Sequence, residues 1–188
     1  MKKLLIIFLL FQTPAYTQNL ANAYFAGGCF WCMEESFEKT EGILEAISGY
    51  SGGSTENPTY KKVTYGNTGH FETVKITYNS EIISYKKVLD VYWKNIDPFD
   101  SAGQFCDKGY SYRSVAFYKS SEQKKIIEQS IKDIELKFNK KVVTYIRKFD
   151  KFYEAESYHQ DYYQENFVNY LMYKNGCGRE RTLKKIWN

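Results

Sequence analysis

Gly27-Gly28-Cys29-Phe30-Trp31-Cys32 sets two thiols three residues apart, beside two large aromatic rings and behind two glycines. The residues before it, Ala23 to Ala26, read as a short strand, and those after it, from Met33 through Glu34, Glu35 and Phe37, read as a helix. Cys29 is thereby placed at a strand-to-helix turn. Backbone N–H groups there have no intrahelical partner and carry partial positive charge, which favours S⁻ over SH and lowers a cysteine's pKa. The glycines allow close backbone approach to a ligand. The alternative is a pair of buried structural cysteines, since free Cys is among the most buried residue types. The glycines and the polar helix that follows favour a reactive site.

Working outward, Ile43 to Tyr50 reads as a second strand that ends in the loop Gly49-Tyr50-Ser51-Gly52-Gly53. Asn57 and Pro58 open a short helical or irregular segment carrying Thr59 and Tyr60, and Gly66 to Gly69 form a further turn. From Glu72 to Tyr78 the alternation is clean: Val74, Ile76 and Tyr78 lie on one strand face, Thr73, Lys75 and Thr77 on the other. Glu72 has the parity of the apolar face. A carboxylate buried there must find a charge partner or become protonated, whereas at the strand's first residue it can instead curl into solvent. The pattern leaves both open.

Tyr85, Val88, Leu89, Tyr92, Trp93 and Ile96 recur at helical spacing behind an N-cap at Ser84. Asp97 and Pro98 stop that helix, and Phe99 to Tyr112, with Cys106 and Asp107, shows no apolar period. A loop of that length in a compact domain is usually functional or disordered. Arg113 to Tyr118 and Val142 to Phe149 read as strands around a helix that is capped by Ser120 and Gln123 and carries Ile127, Ile131, Ile134 and Phe138. Phe152 to Tyr163 is rich in aromatics, Phe167 to Tyr173 has helical character, and Gly176-Cys177-Gly178 opens a polar tail. No repeat or linker interrupts the pattern, so a single mixed α/β domain is expected.

Length agrees with this, since 188 residues bury a sizeable core without disulfides or metal. The basic start Met1-Lys2-Lys3, the apolar run Leu4 to Phe11 and the small residues after it read as a secretory signal peptide over residues 1–17, cut somewhere between residues 15 and 23. The run is too short for a membrane span. The remaining domain, 18–188, is then periplasmic or extracellular, with no membrane attachment after cleavage. Export makes two structural disulfides conceivable for four cysteines, but Cys29 and Cys32 are too close in sequence to staple anything large. Zinc is disfavoured, since there is no second C-x-x-C and His70 and His159 lack ligand spacing. A net charge of +4 with 18% aromatic residues is compatible with nucleic acid, yet the lysines are scattered along helices as on a solvated surface.

Taken together, the runs Phe25 to Trp31, Gly49 to Gly53, Asn57 to Tyr60, Gly69-His70 with Glu72, Asp97-Pro98, Tyr112 to Ser114, and Phe152-Tyr153 with Ala155, Glu156, His159 and Gln160 resemble the A-type peptide methionine sulfoxide reductases. The resemblance spans nearly the whole chain after the leader. It implies a two-layer α/β sandwich with a mixed sheet. The implied reaction is reduction of the S-epimer of methionine sulfoxide, free or in oxidised proteins, by a monomer that needs no bound cofactor and draws electrons from thioredoxin or an equivalent dithiol. Cys29 takes the nucleophile's place, Phe30 and Trp31 the methyl-pocket walls, Tyr60, Glu72 and Tyr112 the groups on the sulfoxide oxygen, and Asp107 the substrate-orienting aspartate.

That chemistry needs a proton donor opposite the thiolate, because sulfoxide sulfur is a poor electrophile until its oxygen is protonated. Attack leaves a sulfenic acid on Cys29 that a second thiol condenses to a disulfide. The chain departs from the commonest pattern here, with Cys32 where many members have glycine and only Cys177 near the C-terminus. Cys32, on the same helical face as Cys29, is the expected resolving thiol, with Cys177 as a second resolver or relay on a mobile tail. Cys106 reads as an incidental loop thiol. Competing readings are a thioredoxin-like disulfide oxidoreductase, from the C-x-x-C, and a secreted binding module whose tyrosines grip a sugar or nucleic acid.

Overall fold

The structure is a computed structural model and describes residues 19–188; the leader reading over residues 1–17 lies outside the described residues. Its frame is a six-stranded sheet in the order β7-β6-β1-β3-β2-β8. The strands are β1 (Leu20–Ala26), β2 (Ile43–Ser51), β3 (Phe71–Asn79), β6 (Val115–Tyr118), β7 (Tyr145–Lys148) and β8 (Phe152–Glu154). The β6–β7 pairing is parallel and the others are antiparallel, giving the expected mixed sheet. Two short strands, β4 (Gly103–Gln104) and β5 (Asp107–Lys108), form a separate hairpin inside the segment read as an aperiodic loop.

Strand parity sorts the side chains into two layers. Ala23 and Phe25 of β1 and Val74, Ile76 and Tyr78 of β3 face the helices, while Tyr24, Ala26, Val115 and Phe117 face the other way and pack with Phe71 under Phe149 and Phe152. On the helical side lie α1 (Phe30–Glu38), α3 (Tyr85–Lys94) and α4 (Ser121–Phe138). They bury Phe30, Met33 and Phe37, then Val88, Leu89, Tyr92 and Trp93, then Ile127 and Ile134. Burying such a side chain is worth roughly 1.5–3 kcal/mol, so this layer carries most of the fold's apolar stabilisation. Ser84 and Ser120 cap α3 and α4 as their sequence signatures imply, each accepting an N–H three residues on.

Two expectations need adjustment, and one open reading is resolved. The strand read over Val142 to Phe149 narrows to β7, because Val143 N–H is taken by Pro98 C=O and the Thr144 hydroxyl pairs with Ser114. The segment opened by Asn57-Pro58 contains one short helix, α2 (Tyr60–Tyr65). The polar, mobile tail is not one: after α5 (Tyr162–Glu165) and α6 (Phe167–Cys177), Gly178 takes a left-handed φ of 68° and the chain turns into α7 (Arg179–Trp187). Arg179 is buried, and the Trp187 indole donates to Ile96 C=O. The physical reason is an apolar edge, Leu183, Ile186 and Trp187, hidden among six polar positions.

Candidate active site

β1 runs down the middle of the sheet, and its last residue, Ala26, pairs with Thr73 on β3 and Val115 on β6. The chain then turns through Gly27 and Gly28 and enters α1, with Cys29 as the residue before the first helical turn. Gly28 has φ +78°, and a Cβ there would meet Gln104 at 2.6 Å. A side chain is excluded on both counts. Because Glu72 sits one residue before Thr73 on the neighbouring strand, the turn leaves Cys29 beside it. Both belong to the wall of one small cavity of about 40 Å³, lined also by Phe30, Trp31, Tyr60, Asp107, Tyr112 and Tyr173. That space is of the order of one small group, since a liquid water occupies about 30 Å³. A larger groove of about 590 Å³ beside α3, α4 and Trp187 contains no thiol.

The structure brings Cys29, Glu72, Tyr60, Tyr112, Phe30, Trp31 and Asp107 together in the wall of this one cavity. Glu72 is buried and does not curl into solvent. Its Oε2 accepts the Phe30 N–H at 3.2 Å, and its Oε1 is buried with no partner. Desolvation raises its pKa well above the usual carboxylate range; the Phe30 hydrogen bond opposes this, and nearby Asp107 and Cys32 reinforce it. A neutral carboxyl follows, with its proton on the unpartnered oxygen. Burial also raises Tyr60, to about 12, and Tyr112, so both phenols stay protonated donors. Trp31 stacks on Tyr162 at 3.8 Å between ring centroids and donates its indole N–H to His159 Nδ1 at 3.2 Å.

The thiol itself departs from expectation. The helix terminus predicts a depressed Cys29 pKa, yet burial raises it, and interaction with Cys32 adds to the effect. Cys32, buried beside it, is instead held at about 7, first through its side-chain interaction with Cys29 and then, against desolvation, by Arg179, Tyr170 and Lys174. Of the two thiols Cys32 is therefore the more acidic, first because of its interaction with Cys29 and then because the cations lie on its side.

Two cysteine readings are corrected. Cys106 is not an incidental thiol: it forms a disulfide with Cys177, 71 residues away. Cys177 accordingly ends a docked helix instead of riding a free tail, and any relay through it must first open that bond. Tyr173 escaped the sequence reading, and Glu156 and Gln160 entered it only as motif residues without a role. Tyr173, on α6, donates its hydroxyl to Asp107 Oδ2 and lines the cavity. Glu156 accepts both the Tyr60 N–H and the Tyr50 hydroxyl, fixing the N-terminus of α2 and with it the Tyr60 ring. Gln160 bonds Ser48 N–H and C=O like an extra strand residue. For Tyr173 the available signal was helical periodicity from Tyr170, i to i+3 on one face.

The geometry matches a known family over nearly the whole described chain. The model of the family described as peptide methionine sulfoxide reductase matches residues 21–188. The chain belongs to this family. A peptide methionine sulfoxide reductase MsrA of Listeria monocytogenes serotype 4b is 47% identical over 172 residues, covering 90% of this chain and 97% of the relative. Among solved structures, reduced Mxr1 of Saccharomyces cerevisiae superposes with a TM-score of 0.71 at 32% identity, covering 82% of this chain and 88% of that one. Mxr1 in complex with Trx2 has the same fold at a TM-score of 0.51 and 21% identity, covering 79% of this chain and 91% of that one. In a reductase of this family, the cavity's orphaned acid, two phenols and aromatic walls are the parts that a polar S=O group with a methyl beside it requires.

Proposed function

We propose that this chain is a peptide-methionine (S)-S-oxide reductase that works through Cys29, Glu72 and Cys32. The observation that carries the mechanism is the unpartnered Glu72 Oε1, a proton donor aimed at no protein group and sharing one small cavity with the Cys29 thiol. The sulfoxide oxygen takes hydrogen bonds from Glu72, Tyr60 and Tyr112 while the methyl group packs on Phe30 and Trp31. As Cys29 sulfur attacks, protonation by Glu72 prevents a full negative charge on oxygen. The products are methionine and a Cys29 sulfenic acid. Cys32 then attacks that sulfur, an S–S bond forms, the S–O bond breaks and the oxygen leaves as water. An external dithiol reduces the Cys29–Cys32 bond, and the yeast relative's complex with Trx2 supports a thioredoxin as donor. The protein acts as an exported monomer, a reading that rests on the leader-like residues 1–17 and on the absence of any substrate step needing a second chain.

The test is turnover of the two separated sulfoxide epimers with a dithiol reductant. Only the S-epimer should be consumed, and Cys29→Ser should abolish consumption, because an alcohol at its ordinary pKa is too weak a nucleophile for sulfur. Equal use of both epimers, or retained activity in the serine variant, contradicts the proposal. The resolving role is checked by mapping disulfides after one equivalent of substrate without reductant. Wild type and Cys177→Ser should contain a Cys29–Cys32 bond, while Cys32→Ser should accumulate the sulfenic acid. A Cys29–Cys177 bond formed in Cys32→Ser at the wild-type rate would transfer the role to Cys177.

A further inference from the structure

Arg179 is the first residue of α7 and is only 3% exposed, yet every hydrogen-bond acceptor around its guanidinium is neutral. Its terminal nitrogens donate to Gly27 C=O at 3.4 Å, to Asn95 C=O at 2.5 Å and to the Met33 sulfur at 2.9 Å. The ring of Phe105 covers the group at 4.6 Å. Among the described residues no carboxylate lies within 4.0 Å of it. Taking a cation out of water costs several kcal/mol unless an anion repays it. The cage itself says where the anion belongs. Gly27 lies two residues before Cys29 and Met33 one turn after it, so the guanidinium sits against the turn that carries the two thiols.

We propose that Arg179 is the counter-ion of the Cys29–Cys32 thiol pair and, through it, a positioning residue for the resolving step. The inference rests on the reading that Cys32 resolves. Of the cations facing Cys32, Arg179 is the one with no carboxylate in salt-bridge contact; Asp107, bound by Tyr173, feels its charge at longer range. On its own helix Glu35 is engaged by Lys39 and Lys174. On α6 Tyr170 donates to Glu35 and Tyr173 to Asp107, both remaining neutral phenols because burial raises them. From β3 comes Glu72, held neutral by burial. Lys174 is shared with Glu35 and Glu180. A Cys32 thiolate beside this charge is ready when the Cys29 sulfenic acid appears; the thiolate supplies the electron pair, and hydroxide leaves the sulfenic acid to be protonated to water. Cys177, two residues before Arg179, is tied to Cys106 next to Phe105, so the disulfide fastens both the guanidinium and the ring that covers it.

The test compares wild type with Arg179→Gln and Arg179→Lys, using iodoacetamide labelling of Cys32 across pH, located by peptide mapping, with the Cys106–Cys177 bond intact. Should Arg179→Gln not fold, the neutral isostere citrulline is placed at 179 by ligating a synthetic peptide that begins at Cys177. The neutral variants should shift the labelling midpoint upward by about one pH unit, and the lysine variant should keep it near the wild-type value. After one equivalent of substrate at pH 6, formation of the Cys29–Cys32 bond should slow about threefold, a tenfold loss of thiolate offset by the higher nucleophilicity of a more basic sulfur. An unmoved midpoint in the neutral variants, or an equal shift in Arg179→Lys, overturns the proposal. If wild type itself forms no Cys29–Cys32 bond while the midpoint still responds to charge, the resolving role of Cys32 fails and the counter-ion role stands.

Discussion

A carboxyl group buried on one oxygen's hydrogen bond has a proton to give from the other, and that is the situation of Glu72. Glu72→Gln keeps a donor for the sulfoxide oxygen but cannot deliver a proton, so single-turnover methionine release should slow by about 10²- to 10⁴-fold. A fall of less than threefold would move the acid role elsewhere. The pH profile gives an independent check. Glu72 is active while protonated and its pKa is raised, so the rate should decline as pH climbs through that raised value. Cys29 attacks as a thiolate, so the rate should also decline toward low pH. In Glu72→Gln the alkaline decline should vanish and the acid one remain. Strand parity put Glu72 on the apolar face with Val74 and Ile76, but its place at the strand's first residue left its burial open, and the structure decides it. It did not reveal the raised pKa of Cys29, because desolvation depends on the rings of α6 that fold over it, more than 130 residues away in the chain.

At the scale of elements, α1 is the helix through which the others are fixed, and it is amphipathic in an unusual sense. Its polar residue Glu34 is buried, accepting the Ser48 hydroxyl from β2 and the Asp161 N–H from the approach to α5. Desolvation lifts its pKa to about 8 against those two hydrogen bonds. The sign follows from linkage: the folded state holds this proton where the unfolded chain has lost it, so the contribution is full below the unfolded value near 4.5 and is lost as pH rises to about 8. Within that window the slope for one such group is at most about 1.4 kcal/mol per pH unit. Glu34→Gln removes the titration, so its stability relative to wild type should improve steadily from pH 5 to pH 8 in urea denaturation. A constant difference across that range would show that Glu34 does not change its proton on folding. The elements with clean periodicity, β3, α3 and α4, were legible with their caps. β7 and α7 were less so, because the limits of β7 are set by contacts with Pro98 and Ser114, and α7 has a narrow apolar edge.

At the scale of the whole molecule, the Cys106–Cys177 bond joins the β4–β5 hairpin to the end of α6, closing a loop of 71 residues. Nothing in the local sequence of either cysteine points to the other; the pairing exists because the sheet and α1 bring the hairpin and α6 to the same side of the active site. The same two elements meet again at Asp107 and Tyr173, whose hydrogen bond lies in the cavity wall. Replacing both cysteines by serine should therefore act twice. Stability should fall by about 4 kcal/mol if loop entropy dominates, less if the unfolded chain keeps residual structure. Substrate binding should weaken, seen as a several-fold rise in KM, because Asp107 and Tyr173 lose the covalent tie that holds their elements together, while Cys29–Cys32 bond formation at saturating substrate stays near the wild-type rate. The measurements are thermal denaturation, steady-state KM with a small dithiol, and single-turnover disulfide mapping. An unchanged KM with normal single turnover but loss of multiple turnover with a thioredoxin donor would make the bond an electron entry point instead of a clamp, since reduction from outside would then depend on passage through the exposed Cys106.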